Sequence, residues 1–118
     1  MILNEFIILS ILAVHYLADF VMQTDMQARN KSSNNRYLAD HVLVYSFVWF
    51  VFTVPILEWS AFTFFVVTFI CHFCTDYVTS RMVKKYFATG NTHGGFNVIG
   101  LDQILHYVQL YMTFRFLL

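Results

Sequence analysis

His15-Tyr16-Leu17-Ala18-Asp19-Phe20-Val21-Met22-Gln23 closes an apolar run that begins at Ile2. His15, Asp19 and Gln23 fall four residues apart, so on a helix they share one face. Ionisable groups inside an apolar segment are costly and are seldom there without a role. The spacing returns in His72 and Asp76, and in reverse order in Asp102 and His106, while His41 stands beside Asp40 in the remaining apolar segment. The chain reads as a scaffold that gathers these groups.

The surroundings are those of a membrane protein. Of 118 residues, 58% are hydrophobic and 12% charged, against roughly 25% charged in soluble domains. A soluble chain of this length, enough for one domain, could hardly hide so many Phe, Val, Leu and Ile side chains. Net charge is zero, so bulk charge is silent about nucleic acid, and no nucleic-acid partner is expected. The N-terminus lacks a leading basic cluster and a small-residue cleavage signal, so the first apolar segment is expected to be retained. Cys71 and Cys74 have the spacing of a redox pair or half a zinc site. In so apolar a segment they are expected to be inert thiols turned away from the His72/Asp76 face.

Four segments have about the length needed to cross a bilayer. They cover residues 2–22, 37–54, 59–83 and 101–118, the last near the short limit, where a partial or tilted span is an option. Abundant Val, Phe and Tyr favour strands on propensity, but the runs are long and lack the alternation of barrel strands. The expected fold is therefore all-α, a four-helix transmembrane bundle forming one integral membrane domain over residues 1–118. Thr24 and Gln27 match a capping box that starts a short polar helix or turn. Pro55 should stop or bend the second segment, and the tight turn after it makes the second and third segments antiparallel neighbours. The Gly- and Asn-rich stretch from Ala88 to Asn97 reads as a mobile linker, with His93 as a candidate lid residue.

Arg29, Lys31 and Arg36 lie in the first loop and Arg81, Lys84 and Lys85 in the third; only Arg115 falls on the other side. By the positive-inside bias those loops are cytoplasmic and both termini face outward, in a bacterial inner membrane. The same loops suit anionic headgroups, so membrane lipid is the expected partner. Phe-rich outer faces allow a homo-oligomer or a membrane-protein partner without requiring one.

Depth ties the polar residues together. At about 1.5 Å per residue, His15, His41 and His106 lie about 6–11 Å in from the basic loops, and His72 and Asp76 about 10–17 Å in. Imidazoles and carboxylates from facing helices are the ligand mixture for a divalent transition metal such as zinc, iron or manganese. The candidate ligands are His15, Asp19, His41, His72, Asp76, Asp102 and His106. Asp19, Asp76 and Asp102 are also candidate catalytic groups, able to act as base toward a water activated by the metal. Gln23, Gln103, Arg36 and Lys84 are candidates to hold substrate, water or a ligand from behind. Seven ligands exceed one coordination sphere, so either some orient others or two ions bind about 3.5–4 Å apart. The plainer reading of any one histidine is an interhelical hydrogen bond, and Tyr37 and Tyr45, which flank His41, read as packing aromatics. The same residue types would also serve a proton or ion relay.

Taken in order, His-x-x-x-Asp-Phe-x-x-Gln (His15 to Gln23), a Lys-Ser loop (Lys31-Ser32), a histidine opening the second span (His41), His-Phe-x-x-Asp (His72 to Asp76) and Asp-Gln-x-x-His (Asp102 to His106) resemble a family of small bacterial and phage integral membrane proteins that carries only a domain-of-unknown-function label. The resemblance covers nearly the whole chain and brings no established activity. More loosely, the chain is similar to membrane-bound metal-dependent hydrolases, which also place His and Asp in their spans. The expectation is a membrane-embedded metal-dependent hydrolase acting on a lipid-borne phosphoester at the cytoplasmic leaflet. The alternative is a non-enzymatic membrane protein: a structural metal site, an ion or proton conduit, or a phage-encoded factor acting on a host partner.

Overall fold

The opening apolar run forms helix α1, Ile2–Tyr16, and then widens into a single π-helical turn, Leu17–Val21. A computed structural model describes residues 2–118, with side chains from Asn4 onward; Met1, part of the expected domain, lies outside the described residues. The π turn corrects the expectation of a uniform α-helix to Met22. The Met22 N–H reaches back five residues to the Leu17 carbonyl at 2.9 Å. Such turns concentrate at functional sites, and this one turns both Ala18 and Asp19 inward.

The capping box at Thr24 forms as expected. The Thr24 hydroxyl accepts from the Gln27 N–H at 3.2 Å, and Gln27 Oε1 accepts from the Thr24 N–H at 3.1 Å. It starts the short helix α2, Asp25–Asn30. Asn34 then caps α3, Asn35–Leu57, by accepting from the Arg36 N–H. Pro55 does not stop α3, contrary to the expected end at Val54. It lies in the last turn, where its missing N–H leaves the Val51 carbonyl without its helical partner, and the helix continues only to Leu57. The helix ends at Glu58, which adopts φ 52° and ψ −124°.

Helix α4 runs over Ser60–Ala88 and α5 over Thr92–Leu117. The early start of α5 overturns the reading of residues 88–97 as a mobile linker. Gly90, at φ +76°, turns the chain out of α4. Asn91 Oδ1 accepts from the Gly94 N–H at 2.8 Å and starts α5. Gly95 is buried against the Phe87 ring, which a Cβ there would overlap. The glycines thus permit a tight helix–helix connection rather than a hinge.

α3 packs on α4, α4 on α5, and α1 on α5, with α2 against the start of α3. His41 meets His72 while Trp49 meets Phe64, and Thr79 meets Asp102 while Phe64 meets Phe114, so α3 and α4, and α4 and α5, are antiparallel neighbours. The interior divides along its length. One half is apolar, built on Ile7, Ile11, Trp49, Phe64, Leu110 and Phe114. The other buries His15, Asp19, His41, His72, Asp76, Asp102 and His106. Outside, large apolar side chains such as Leu9, Phe47, Val51, Phe62 and Ile104 are exposed. A polar interior beneath an apolar surface suits lipid, because hydrocarbon cannot satisfy the polar groups.

Three segments among the described residues are long and apolar enough to cross a membrane: Asn4–Val21, Asn35–Leu57 and Ser60–Ala88. The chain is thereby a membrane-associated helical protein. The expected fourth span lies within α5, which is not among the three. Asp102, Gln103, His106, Gln109 and Arg115 lower its mean hydropathy. Cys71 and Cys74 are free thiols, half-buried and exposed respectively.

Candidate metal centre

Four helical elements each deliver one part of the polar cluster. The π turn supplies Asp19, α3 His41, α4 the pair His72 and Asp76, and α5 the pair Asp102 and His106. The i, i+4 spacing inferred from the sequence thus places both members of each pair on an inward face.

Four residues converge most closely. His41 Nε2 lies 3.0 Å from Asp19 Oδ1, 3.3 Å from His72 Nε2 and 3.5 Å from Asp76 Oδ2. His72 Nε2 lies 3.5 Å from Asp19 Oδ1 and 3.4 Å from Asp76 Oδ2. These are five of the six edges of a tetrahedron. Ligand bonds of about 2.0–2.1 Å to a tetrahedral ion put donor atoms about 3.3–3.4 Å apart. The observed edges match that size. Hydrogen bonding among the four is a poorer account, because a neutral imidazole has one N–H, whereas each Nε2 here faces another nitrogen and two carboxylate oxygens.

A second group adjoins the first. His106 Nε2 lies 3.1 Å from Asp76 Oδ1 and 3.2 Å from Asp102 Oδ1. Asp19, Asp102 and His106 each offer a ligand atom within 4.8 Å of the others.

His15 sits beside these groups rather than among them. Its Nε2 is 2.7 Å from Gln103 Oε1, so it donates there, and its Nδ1 accepts from the Tyr45 hydroxyl at 2.8 Å. Nε2 also lies 3.4 Å from Asp19 Oδ2. With Nε2–H given to Gln103 and Nδ1 accepting from Tyr45, His15 packs beside Asp19 and leaves no lone pair for an ion. Gln103 continues the chain, donating to Asp102 Oδ2 at 3.1 Å, and Thr79 donates to Asp102 Oδ1 at 2.6 Å. A continuous set of hydrogen bonds therefore runs Tyr45–His15–Gln103–Asp102–Thr79 across α3, α1, α5 and α4.

Three residues of the site were not among the site candidates read from the sequence. Lys31, just past α2, reaches in to donate to Asp76 Oδ2 at 2.9 Å. Burial opposes its charge, but the carboxylates of Asp76 and Asp19 outweigh that and hold its pKa above the usual lysine value. Tyr45, read as packing, is fully buried, bonds His15 and stacks on the His72 ring at 3.8 Å. Thr79 holds Asp102. Each carried a signal: Lys31 in the Lys-Ser loop, Tyr45 four residues after His41, and Thr79 three after Asp76.

A pocket of about 330 Å³ opens above the cluster. Asp19, Asp76 and Asp102 line it together with Gln23, Lys31, Lys84, Ser32, Ser80 and Gln103. Gln23, Gln103 and Lys84 thus lie where a bound molecule would meet them, and the Gln23 Oε1 is buried without a hydrogen-bond partner. Arg36 does not line the pocket; it is exposed in the first turn of α3. His93 is exposed in the first turn of α5, accepting from Asn97 at 3.2 Å, and is likewise absent from the lining.

Fold and cluster together define a helical membrane protein with buried His/Asp groups able to hold a metal ion. The chain belongs to the DUF3307 family, described as a protein of unknown function, which matches residues 7–118. No curated protein and no solved structure matches it.

Proposed function

We propose that this chain is a metal-dependent hydrolase of the bacterial inner membrane, acting on a lipid-borne phosphoester at the cytoplasmic leaflet. The observation that carries the reading is the near-tetrahedral set of His41, His72, Asp19 and Asp76 under a pocket flanked by Lys31 and Lys84. Charge supports it. Asp19, Asp76 and Asp102 bring three negative charges and Lys31 one positive, so bound divalent metal would offset the negative charge that the cluster otherwise buries. Zinc, iron and manganese all accept this donor mixture.

A divalent ion there would polarise a phosphoryl oxygen and activate water. The chain's own groups do the rest. Lys31 and Lys84 would attract an anionic headgroup, Gln23 and Gln103 would orient it or a water, and the carboxylates facing the pocket give a released proton an acceptor. The basic ends of α2, α3 and α4 lie together, as the bond from Arg81 to Asn35 Oδ1 at 2.8 Å illustrates. By the positive-inside bias that end faces the cytoplasm. With α5 as a fourth crossing, the termini lie outside.

A second reading has an observation of its own. His41 Nδ1 and His72 Nδ1 are buried without hydrogen-bond partners, whereas a metal-bound imidazole usually donates its other N–H to an acceptor behind it. A metal-free cluster of neutral histidines donating Nε2–H to the carboxylates, joining the helices of a non-enzymatic membrane protein, would leave only a lone pair at each of those Nδ1 atoms. Elemental analysis of detergent-purified protein, prepared without chelators, separates the two. The hydrolase reading expects bound divalent metal in the wild type and its loss in His72→Ala, with phospholipid turnover only when metal is present. Wild-type protein that is folded and free of metal would rule it out.

A further inference from the structure

Asp76 presents a different face to each of two imidazoles. Its Oδ2 lies 3.4 Å from His72 Nε2, and its Oδ1 lies 3.1 Å from His106 Nε2. The two rings are nearly parallel, 16° apart, with centroids separated by 4.0 Å. Two imidazoles at that spacing, each facing one oxygen of a shared carboxylate, suit a carboxylate that bridges two ions. Paired metal sites hold their ions about 3.5–4 Å apart.

The second set is built to the same scale as the first. His106 Nε2 to Asp76 Oδ1 and to Asp102 Oδ1 are 3.1 and 3.2 Å. A ligand atom of Asp19 lies within 4.8 Å of those of Asp102 and His106. All four residues are buried, with Asp102 the most exposed at 9%. Thr79 and Gln103 each donate to one oxygen of Asp102 and fix its orientation, the support a ligating carboxylate usually has.

Resting on the metal reading above, we propose that the centre is dinuclear. His41 and His72 hold one ion, Asp102 and His106 hold a second, and Asp76 bridges them, with Asp19 between the two sets. Two divalent ions and Lys31 exceed the three carboxylates by two positive charges. The pair would therefore be completed by an anion, and a phosphate oxygen entering from the pocket beside Lys84 is placed to supply it.

The test uses full-length protein in detergent, freed of metal and reloaded with Mn(II) alone, with and without inorganic phosphate. The expected result is about two Mn(II) per chain with a spin-coupled resonance spectrum, as ions about 3.5–4 Å apart require. Inorganic phosphate should raise occupancy of the second ion, while Asp102→Asn should leave one ion with the spectrum of isolated Mn(II). His106→Gln is the second variant, and the wild-type spectrum alone is decisive if neither variant folds. One uncoupled ion in wild type, retained in Asp102→Asn but lost in His41→Ala, would overturn the dinuclear centre and leave the single-metal reading intact. Two uncoupled ions would overturn the bridge. No bound metal would overturn both readings.

Discussion

Lys31 and Asp76, separated by 45 residues in sequence, are joined by a 2.9 Å bond from Nζ to Oδ2 at the mouth of the buried cluster. The lysine side chain is 18% exposed and the carboxylate 2%. Lys31→Met should lower stability by about 1.5–3 kcal/mol, the range for hydrogen bonds to charged groups, as read by thermal unfolding in detergent. Metal content should persist, because Lys31 supplies no lone pair. Phosphoester turnover should fall mainly through a higher KM. Unchanged stability and KM would show that the ammonium is a bystander.

Tyr45 acts through His15. In Tyr45→Phe the ring still packs on His72, but His15 Nδ1 loses its donor at 2.8 Å. A buried acceptor left unpaired costs about 1–3 kcal/mol. His15 is not itself a ligand, so the effect on metal binding should be smaller than the about 10- to 100-fold typical of a group directly behind one. Chelator competition should show weaker retention in Tyr45→Phe than in wild type. Equal retention would confine Tyr45 to packing.

Metal retention should depend on pH in one direction. Imidazole and carboxylate ligands bind an ion only when deprotonated. Acid therefore releases it, and return to neutral pH with added metal restores it. Lys31 works in the opposite sense: its raised pKa keeps its charge through the neutral range, so its contribution would be lost only at strongly alkaline pH. Dialysis against buffers of falling pH, followed by elemental analysis, checks the prediction; retention independent of pH would contradict it.

Two backbone positions give opposite predictions. Glu58, at φ 52° and ψ −124°, has the conformation of the first central residue of a type II′ turn, which glycine adopts freely. Glu58→Gly should stabilise the protein by about 1 kcal/mol, detectable as a higher midpoint of thermal unfolding.

At Gly95 a side chain would meet the Phe87 ring. Gly95→Val should destabilise by about 1–3 kcal/mol, and Gly95→Val combined with Phe87→Ala should recover part of the loss. A fully additive double variant would mean that the ring does not set the constraint.

Much of this was legible in the residues. Helical period, apolar length and the i, i+4 pairs His72/Asp76 and Asp102/His106 are local properties, and each was read correctly as an inward polar face on a helix. Thr24 and Gln27 were legible for the same reason, since a capping box spans only one turn. The misreadings came where local signals compete with packing. Gly94 and Gly95 look like a hinge until Tyr86 and Phe87 are known to lie against them. Pro55 looks like a stop unless its place in the last turn is known.

The sequence by itself determined that this chain is helical, suited to lipid and provided with buried imidazoles and carboxylates, because composition and periodicity are written residue by residue. Only the tertiary structure decided which of those groups meet. The π turn at Leu17–Val21 changes the phase of α1 and swings Asp19 to His41, while His15 is drawn off to Tyr45 and Gln103. Lys31 enters from a loop that spacing rules do not reach. Contacts between helices depend on packing angles and register set by the whole bundle, and no period within a single segment encodes them.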